Sequence, residues 1–159
     1  MKVDQKLLDR FNYLLNETTH FSIKGRMFFH RFRRTPNAFK SEIVDISTGK
    51  VVASGYVFDL VEKGGELYGR MGRLYVKELY RGLKLGSMAF DARVSSFGPN
   101  VNLYLSAHPN RTASLNESNF EGYRDILFTM YGKRGFIKVD GTKATMRRPK
   151  GDFIYKEKE

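Results

Sequence analysis

The sequence predicts a mixed α+β fold: a central mixed sheet of six to seven strands, flanked by helices. Three observations predict it. Strand-like segments separated by short turns fill residues 39–76, and links that short join antiparallel neighbours into a meander. A helical period follows at 79–97 and a strand period returns at 101–107, the order of a crossover unit whose two strands lie parallel. The 159 residues are 41% apolar and 14% aromatic, which allows one domain spanning 1–159 with a real core and excludes a low-complexity chain.

In chain order, Val3, Leu7, Phe11, Leu14 and Leu15 recur at helical spacing, with Lys6, Asp9 and Arg10 between them. Residues 3–15 therefore read as an amphipathic helix within an N-terminal segment 1–19 that docks one face. From His20 to Phe39 the chain turns aromatic and basic, and no acidic residue interrupts Lys24, Arg26, Arg31, Arg33, Arg34 and Lys40. Its 27–33 portion suits a strand ended by Thr35-Pro36-Asn37. Strands over 39–46, 51–61 and 66–76 follow, divided by Ser47-Thr48-Gly49-Lys50 and Glu62-Lys63-Gly64-Gly65. Residues 79–97 carry Leu83, Leu85, Met88, Ala89, Ala92 and Val94 on a helix that Gly98-Pro99 stops. Val101, Leu103 and Leu105 then alternate with Asn102, Tyr104 and Ser106 as a strand does. The polar stretch 108–122 reads as a loop, 123–133 as a helix built on Ile126, Leu127, Met130 and Tyr131, and Gly135 as its left-handed cap. Residues 136–139 and 143–147 make a closing hairpin, and 149–159 a charged tail with one apolar patch, Phe153-Ile154-Tyr155.

Lys and Arg number 28 against 17 Asp and Glu, a formal charge of +11 that attracts phosphates, nucleic acid or acidic protein. The absence of cysteine excludes a disulfide framework, a cysteine–zinc site, an iron–sulfur cluster and a thiol nucleophile. Three scattered histidines, His20, His30 and His108, do not suggest a metal centre, and none is expected. No apolar run approaches the ~18 residues of a membrane helix, so a cytoplasmic protein with no membrane partner is expected.

Chemistry concentrates in Leu74-Tyr75-Val76-Lys77-Glu78-Leu79-Tyr80-Arg81-Gly82-Leu83-Lys84-Leu85-Gly86-Ser87, a strand end, a glycine-containing loop and a helix start. Amides without partners in a first helical turn, with the positive end of the helix dipole, form a site for a pyrophosphate. Glycine at 82 and 86 lets the backbone approach phosphate oxygens, and Arg81 and Lys84 add charge. A second segment, Met130-Tyr131-Gly132-Lys133-Arg134-Gly135-Phe136, sets a tyrosine near a helix end four residues before a Gly-Phe pair that enters a strand.

Together, in this order, the two segments resemble the Gcn5-related N-acetyltransferase (GNAT) superfamily, over about residues 40–148. That family's acyl-CoA loop, Arg/Gln-x-x-Gly-x-Gly/Ala after a hydrophobic-x-Val strand end, falls on Arg81 to Gly86 after Leu74-Tyr75-Val76, with Lys84 where the first glycine is usual. Its Tyr-x-x-x-Gly-Phe feature falls on Tyr131, Gly135 and Phe136. The resemblance implies an acyl-CoA N-acyltransferase-like fold. It also implies transfer of an acetyl group from acetyl-CoA to a primary amine by direct attack in a ternary complex. The cofactor contacts it implies are Leu74, Tyr75, Val76, Arg81, Gly82, Leu83, Lys84, Leu85, Gly86 and Ser87. Tyr131 is implied as the acid that protonates the leaving thiolate. Lys84 would be tolerated if it supplied its amide from a helical conformation.

The base is open. The family position eleven residues before Arg81 holds Arg70, which cannot serve, leaving Glu66 on the same strand face, His108 beyond the 101–107 strand, or water as candidates. The Asn usual seven residues before the motif tyrosine is replaced by Arg124, and Asn110 is the alternative. The charge favours an amine on a protein or on an anionic small molecule as acceptor, and a dimer is compatible with the sequence. Two rival readings stand beside this one. A nucleic-acid-binding module would use the 24–40 strip, where Phe28, Phe29, Phe32 and Phe39 interleave with the cations. The other is a catalytically inactive protein of the same fold.

Overall fold

The computed structural model describes residues 4–107 and 120–152. At the N-terminus the expected apolar stripe is present but the helix is short. Asp4 caps α1 (Gln5–Asp9) by accepting from the amides of Lys6 and Leu7 at 3.1 and 3.2 Å. Phe11 then leaves helical geometry, and Asn12–Asn16 form a 3₁₀ turn. The break turns the Phe11 ring onto Phe97, 4.9 Å between centroids, while Arg34 holds the outer side through Asp9, Asn12 and Gln5. Leu7, Leu8, Phe11 and Leu14 are buried, so a continuous 3–15 helix gives way to two short pieces that keep its apolar face.

The basic strip contains a hairpin rather than one strand. β1 (Thr18–Ile23) pairs antiparallel with β2 (Arg26–Arg34) across Lys24 and Gly25, both at positive φ, as a two-residue turn between right-twisted strands requires. β3 (Ala38–Asp45), β4 (Lys50–Lys63) and β5 (Glu66–Val76) continue the predicted meander. β6 (Val101–Ser106) lies parallel to β5, with α2 (Leu85–Phe97) in the crossover, as the alternation of periods predicts. After α3 (Phe120–Gly132), β7 (Ile137–Lys138) and β8 (Thr145–Arg148) form the closing hairpin, β8 pairing with both β6 and β7. The sheet has eight strands in the order β1-β2-β3-β4-β5-β6-β8-β7, more than expected because the turn at Lys24-Gly25 adds β1.

α2 begins at Leu85 and not at residue 79, and α3 begins at Phe120, so Gly122 is helical and not part of a loop. Gly135 closes α3 at φ +89°, with the Phe136 amide donating to the Tyr131 carbonyl at 3.1 Å, the left-handed cap expected there. One apolar cluster joins α1, Phe39, Phe97, Leu103 and Met146; a second gathers Phe28, Ile43, Val52, Tyr80, Leu85 and Ala89 under the start of α2. Among the described residues no helix is long and apolar enough to cross a membrane.

Two irregularities lie toward the C-terminal half of β5. Its parallel ladder with β6 runs only from Leu67↔Val101 to Arg70↔Tyr104, after which the strands diverge. Its antiparallel ladder with β4 jumps from Tyr56↔Gly72 to Ser54↔Tyr75, a bulge in which Arg73, at φ +56°, and Leu74 have no ladder partner.

Candidate active site

The end of β5 is anchored before the loop begins. The Lys77 amide donates to the Val52 carbonyl (2.8 Å), and Glu78–Tyr80 make one 3₁₀ turn. The buried Tyr80 phenol donates to Asp45 Oδ2 at 2.6 Å, with the Arg26 guanidinium 4.5 Å over its ring. The hydrogen bonds from Tyr80 and Ser47 hold the Asp45 carboxyl below the usual carboxylate range, and the same bond to Asp45 pushes the Tyr80 phenol up. Sequence reasoning missed this anchor. Its only local sign is Asp45 opening a Ser-Thr-Gly turn, where it accepts from the Ser47 amide at 2.9 Å.

Beyond Tyr80 the backbone cannot stay helical, because Gly82 lies at φ +87° and Lys84 at φ +62°, ψ +22°. The helical conformation on which tolerance of Lys84 depends is therefore not adopted: the residue is left-handed, as glycine at this position would be without strain. Lys84 then stands as the N-terminal cap residue of α2 with no side-chain cap. The first amide bonded back along the helix is that of Met88, to the Lys84 carbonyl at 3.1 Å, so the amides of Leu85, Gly86 and Ser87 form the uncapped end of the helix dipole. A Cβ on Gly86 would meet Val76 Cγ2 at 3.0 Å, so this glycine sets how closely α2 sits on the strand end. Arg81 is folded back, its Nε donating to the Val76 carbonyl at 3.3 Å.

These amides open on a cavity of about 220 Å³. Of the predicted site residues, Leu74, Val76, Arg81, Gly82, Lys84, Leu85, Gly86, Ser87 and Tyr131 line it, joined by Tyr80, Phe90, Leu127, Met130 and Arg134. Tyr75 and Leu83 do not: Tyr75 pairs with Ser54 and is half exposed, and Leu83 packs on the second apolar cluster. A further cavity of about 130 Å³ shares Leu74, Phe90, Leu127 and Tyr131 with the first, and adds Met71, Gly72, Arg73, Arg93, Leu105 and Ser106. It lies where β5 and β6 have diverged, so the two cavities adjoin across these shared residues, from the helix start toward the open sheet.

Tyr131 stands at the junction. Its ring stacks on Phe90 (5.1 Å, 30°) and lies 6.1 Å from Phe136. Burial pushes its phenol up, while the charges of Arg93 and Arg134 pull it back, so it carries its proton at neutral pH. Arg134 ties α3 to α2, donating to Asp91 through Nε and Nη2 and to the Met130 carbonyl through Nη1 (2.8 Å). Sequence reasoning also missed Phe90 as a wall residue, although it follows Gly86 by four, one helical turn along the same face.

Glu66 is not brought to this cleft. It lies at the opposite end of β5, eight residues and roughly 26 Å of strand from Leu74, bound to Lys150 Nζ at 2.6 Å. The Lys150 bond holds its carboxyl below the usual value. His108 and Asn110 lie outside the described residues, as does the patch 153–155. Among the described residues no group of three or more His, Asp or Glu is placed to hold a metal ion.

The 24–40 strip is not a free row of cations. Arg26 reaches Asp45 (3.3 Å), Arg34 pairs with Asp9, and Arg31, Arg33 and Lys40 converge on the buried Glu42 at 3.0, 3.9 and 3.2 Å. Phe28, Phe32 and Phe39 belong to the core, which removes three of the four rings from any stacking on bases.

No family model and no curated protein sequence matches the chain. Solved structures similar to it include proteins described as acyl-CoA N-acyltransferases and acetyltransferases, one of them of the GNAT family. An acyl-CoA N-acyltransferase of Pseudomonas aeruginosa is 20% identical at a TM-score of 0.49, over 72% of this chain and 70% of that one. A Corynebacterium glutamicum protein described as histone acetyltransferase HPA2 and related acetyltransferase is 16% identical at 0.49, over 72% of this chain and 66% of that one. An acetyltransferase of the GNAT family from Staphylococcus aureus is 14% identical at 0.46, over 70% and 66%.

Proposed function

We propose that the protein is an acyl-CoA-dependent N-acyltransferase, with acetyl-CoA as donor and a primary amine as acceptor. The observation that carries this reading is a pair of adjoining cavities, which run from three uncapped amides of α2 past Leu74 and Tyr131 toward the gap between β5 and β6. Its residues suit a pyrophosphate followed by an extended apolar arm. The amides of Leu85, Gly86 and Ser87 supply donors and the helix dipole, Arg81 and Lys84 supply charge, and the gap accepts the arm between two strand edges. Bound acyl-CoA would supply a thioester, whose carbonyl carbon is the electrophile.

Leu74 lies in the bulge and lines both cavities, and its amide is the donor we assign to the thioester oxygen as charge develops there. The amine nitrogen forms its bond to the carbonyl carbon as the carbon–sulfur bond breaks. Tyr131 gives its proton to the sulfur, and the proton lost by nitrogen returns to the phenolate through water. Glu66 has no part in this scheme.

The test is thermal melting with acetyl-CoA, since a ligand that binds only the folded state raises the melting temperature, by the equivalent of about 2.7 kcal/mol at a hundred times Kd. A rise is expected for the natural sequence and not for Arg81→Glu. No rise at millimolar acetyl-CoA would overturn the reading.

A further inference from the structure

Arg93 stands out among the buried groups of the cleft. It leaves α2 one turn after Phe90, is 1% exposed, and lays its guanidinium on Gly55 of β4, where a Cβ would fall 1.5 Å from Nη1. Glycine at 55 is thus what makes room for the charge. Among the described residues, neither Nε nor Nη1 of Arg93 has a hydrogen-bond acceptor. Two other buried guanidinium groups show what the chain does when such a group is structural. Arg148 donates to the carbonyls of Arg134 (2.9 Å), Gly98 (3.2 Å) and Asp152 (2.9 Å), and Arg134 is held by Asp91 and the Met130 carbonyl.

No carboxylate among the described residues plays that part for Arg93. The groups that feel its charge are the Tyr131 phenol, across the cleft, and the His30 imidazole on β2, and the ring of Phe90 lies 5.5 Å away. Burial lowers its pKa to about 10, which leaves it protonated at neutral pH. A buried cation with no carboxylate partner among the described residues is costly, and both Gly55 and α2 are arranged to keep it.

We propose that Arg93 is a carboxylate-binding residue: a substrate carboxylate brought into the gap between β5 and β6 accepts hydrogen bonds from this guanidinium, opposite Tyr131. The proposal rests on the acyltransferase reading and adds the class of substrate. The carboxylate has two chemical sources, the far end of a dicarboxylic acyl group on the donor or the acid group of an amino-acid acceptor. An acetyl group would bring only a methyl group toward the guanidinium.

Isothermal titration of the full chain separates the two. One arm compares CoA, acetyl-CoA, malonyl-CoA and succinyl-CoA. The other, with CoA saturating, compares glycine and β-alanine with methylamine and ethylamine. A preference of at least about tenfold for the carboxylate-bearing ligand is expected in one arm, the size of a charge-assisted pair formed away from water. Arg93→Met should erase that preference, read as the ratio of carboxylate-bearing to carboxylate-free ligand within the variant itself, and melt no lower than the natural protein, because it deletes a buried charge with no carboxylate partner among the described residues. Gly55→Ala, which fills the space of Nη1 without removing the charge, should erase it too and serves if Arg93→Met does not fold. Equal binding in both arms by a protein that does bind CoA, or a preference that survives Arg93→Met, overturns the proposal alone. Failure of CoA itself to bind removes the acyltransferase reading, and this proposal with it.

Discussion

At the scale of single residues, the loop before α2 holds two left-handed positions with opposite consequences for mutation. Lys84 carries a strain of about 1–2 kcal/mol in a conformation glycine adopts freely, and glycine's greater chain entropy in the unfolded state offsets part of the relief. Lys84→Gly should therefore gain roughly 0.5–1 kcal/mol in urea unfolding while weakening CoA binding through loss of a cation. Gly82 sits at φ +87° with open space around it, so Gly82→Ala should lose about 1 kcal/mol for backbone reasons alone. Tyr131→Phe should lower kcat by about a hundredfold or more and leave the Kd for CoA unchanged, as expected of a proton donor that does not carry binding. A mutant as fast as the natural protein would remove Tyr131 from the chemistry.

His30 gives a residue-level prediction for stability. Burial, and then the charge of Arg93, lower its pKa to about 4. The unfolded chain takes up this proton near pH 6.5 and the folded one does not until about pH 4, so stability falls as pH drops through that window. The slope rises toward about 1.4 kcal/mol per pH unit below pH 6.5, a loss of about 1.6 kcal/mol between roughly pH 6.5 and 5. Urea titrations at those two pH values should show this loss, and His30→Phe should reduce it to the background of the carboxylates.

At the scale of elements, the cleft exists because β5 does two things at once: it bulges away from β4 at Arg73 and parts from β6 after Arg70. α2 is then seated against the strand end by Gly86. Gly86→Val should push the helix off Val76 and Leu74, costing about 1–3 kcal/mol of overpacking and abolishing the rise in melting temperature with acetyl-CoA. The strands that frame this arrangement were legible because their alternation and turn residues agree, as at Glu66–Val76 and Val101–Ser106. The bulge was not legible, since a left-handed arginine carries no sequence signal of the kind glycine gives. The same reason hid the β1–β2 turn, where Lys24 takes the first left-handed position. The predicted start of α2 at residue 79 failed because the apolar period continues through Tyr80 and Leu83, which are apolar for another purpose: one anchors the loop on Asp45 and the other packs beneath it.

At the scale of the whole molecule, the +11 charge and the paired basic strip give different expectations for nucleic acid. The net field should still attract a polyanion, with affinity falling steeply as salt rises. With Phe28, Phe32 and Phe39 in the core, stacking adds little, so single-stranded and double-stranded DNA should bind alike at matched salt. A strong preference for single strands, measured by fluorescence anisotropy, would contradict this. The N-terminal segment, which bears no motif, covers the core through Leu7, Leu8, Phe11 and Leu14. Glu66 and Asn102 secure Lys150 at the far end of the sheet, a structural use for the carboxylate that strand spacing alone could not tell from a catalytic one. Arg93 was invisible for a related reason, because its meaning depends on Gly55, distant in the chain, and on the lack of an acceptor among the described residues.

A crystal structure of the protein grown with CoA decides whether the cleft is an acyl-CoA site. The expected result is a pyrophosphate within hydrogen-bonding distance of the Leu85, Gly86 and Ser87 amides, the arm between β5 and β6, and the sulfur beside the Tyr131 hydroxyl. CoA bound elsewhere, or bound at α2 with its sulfur directed away from Tyr131, would contradict it.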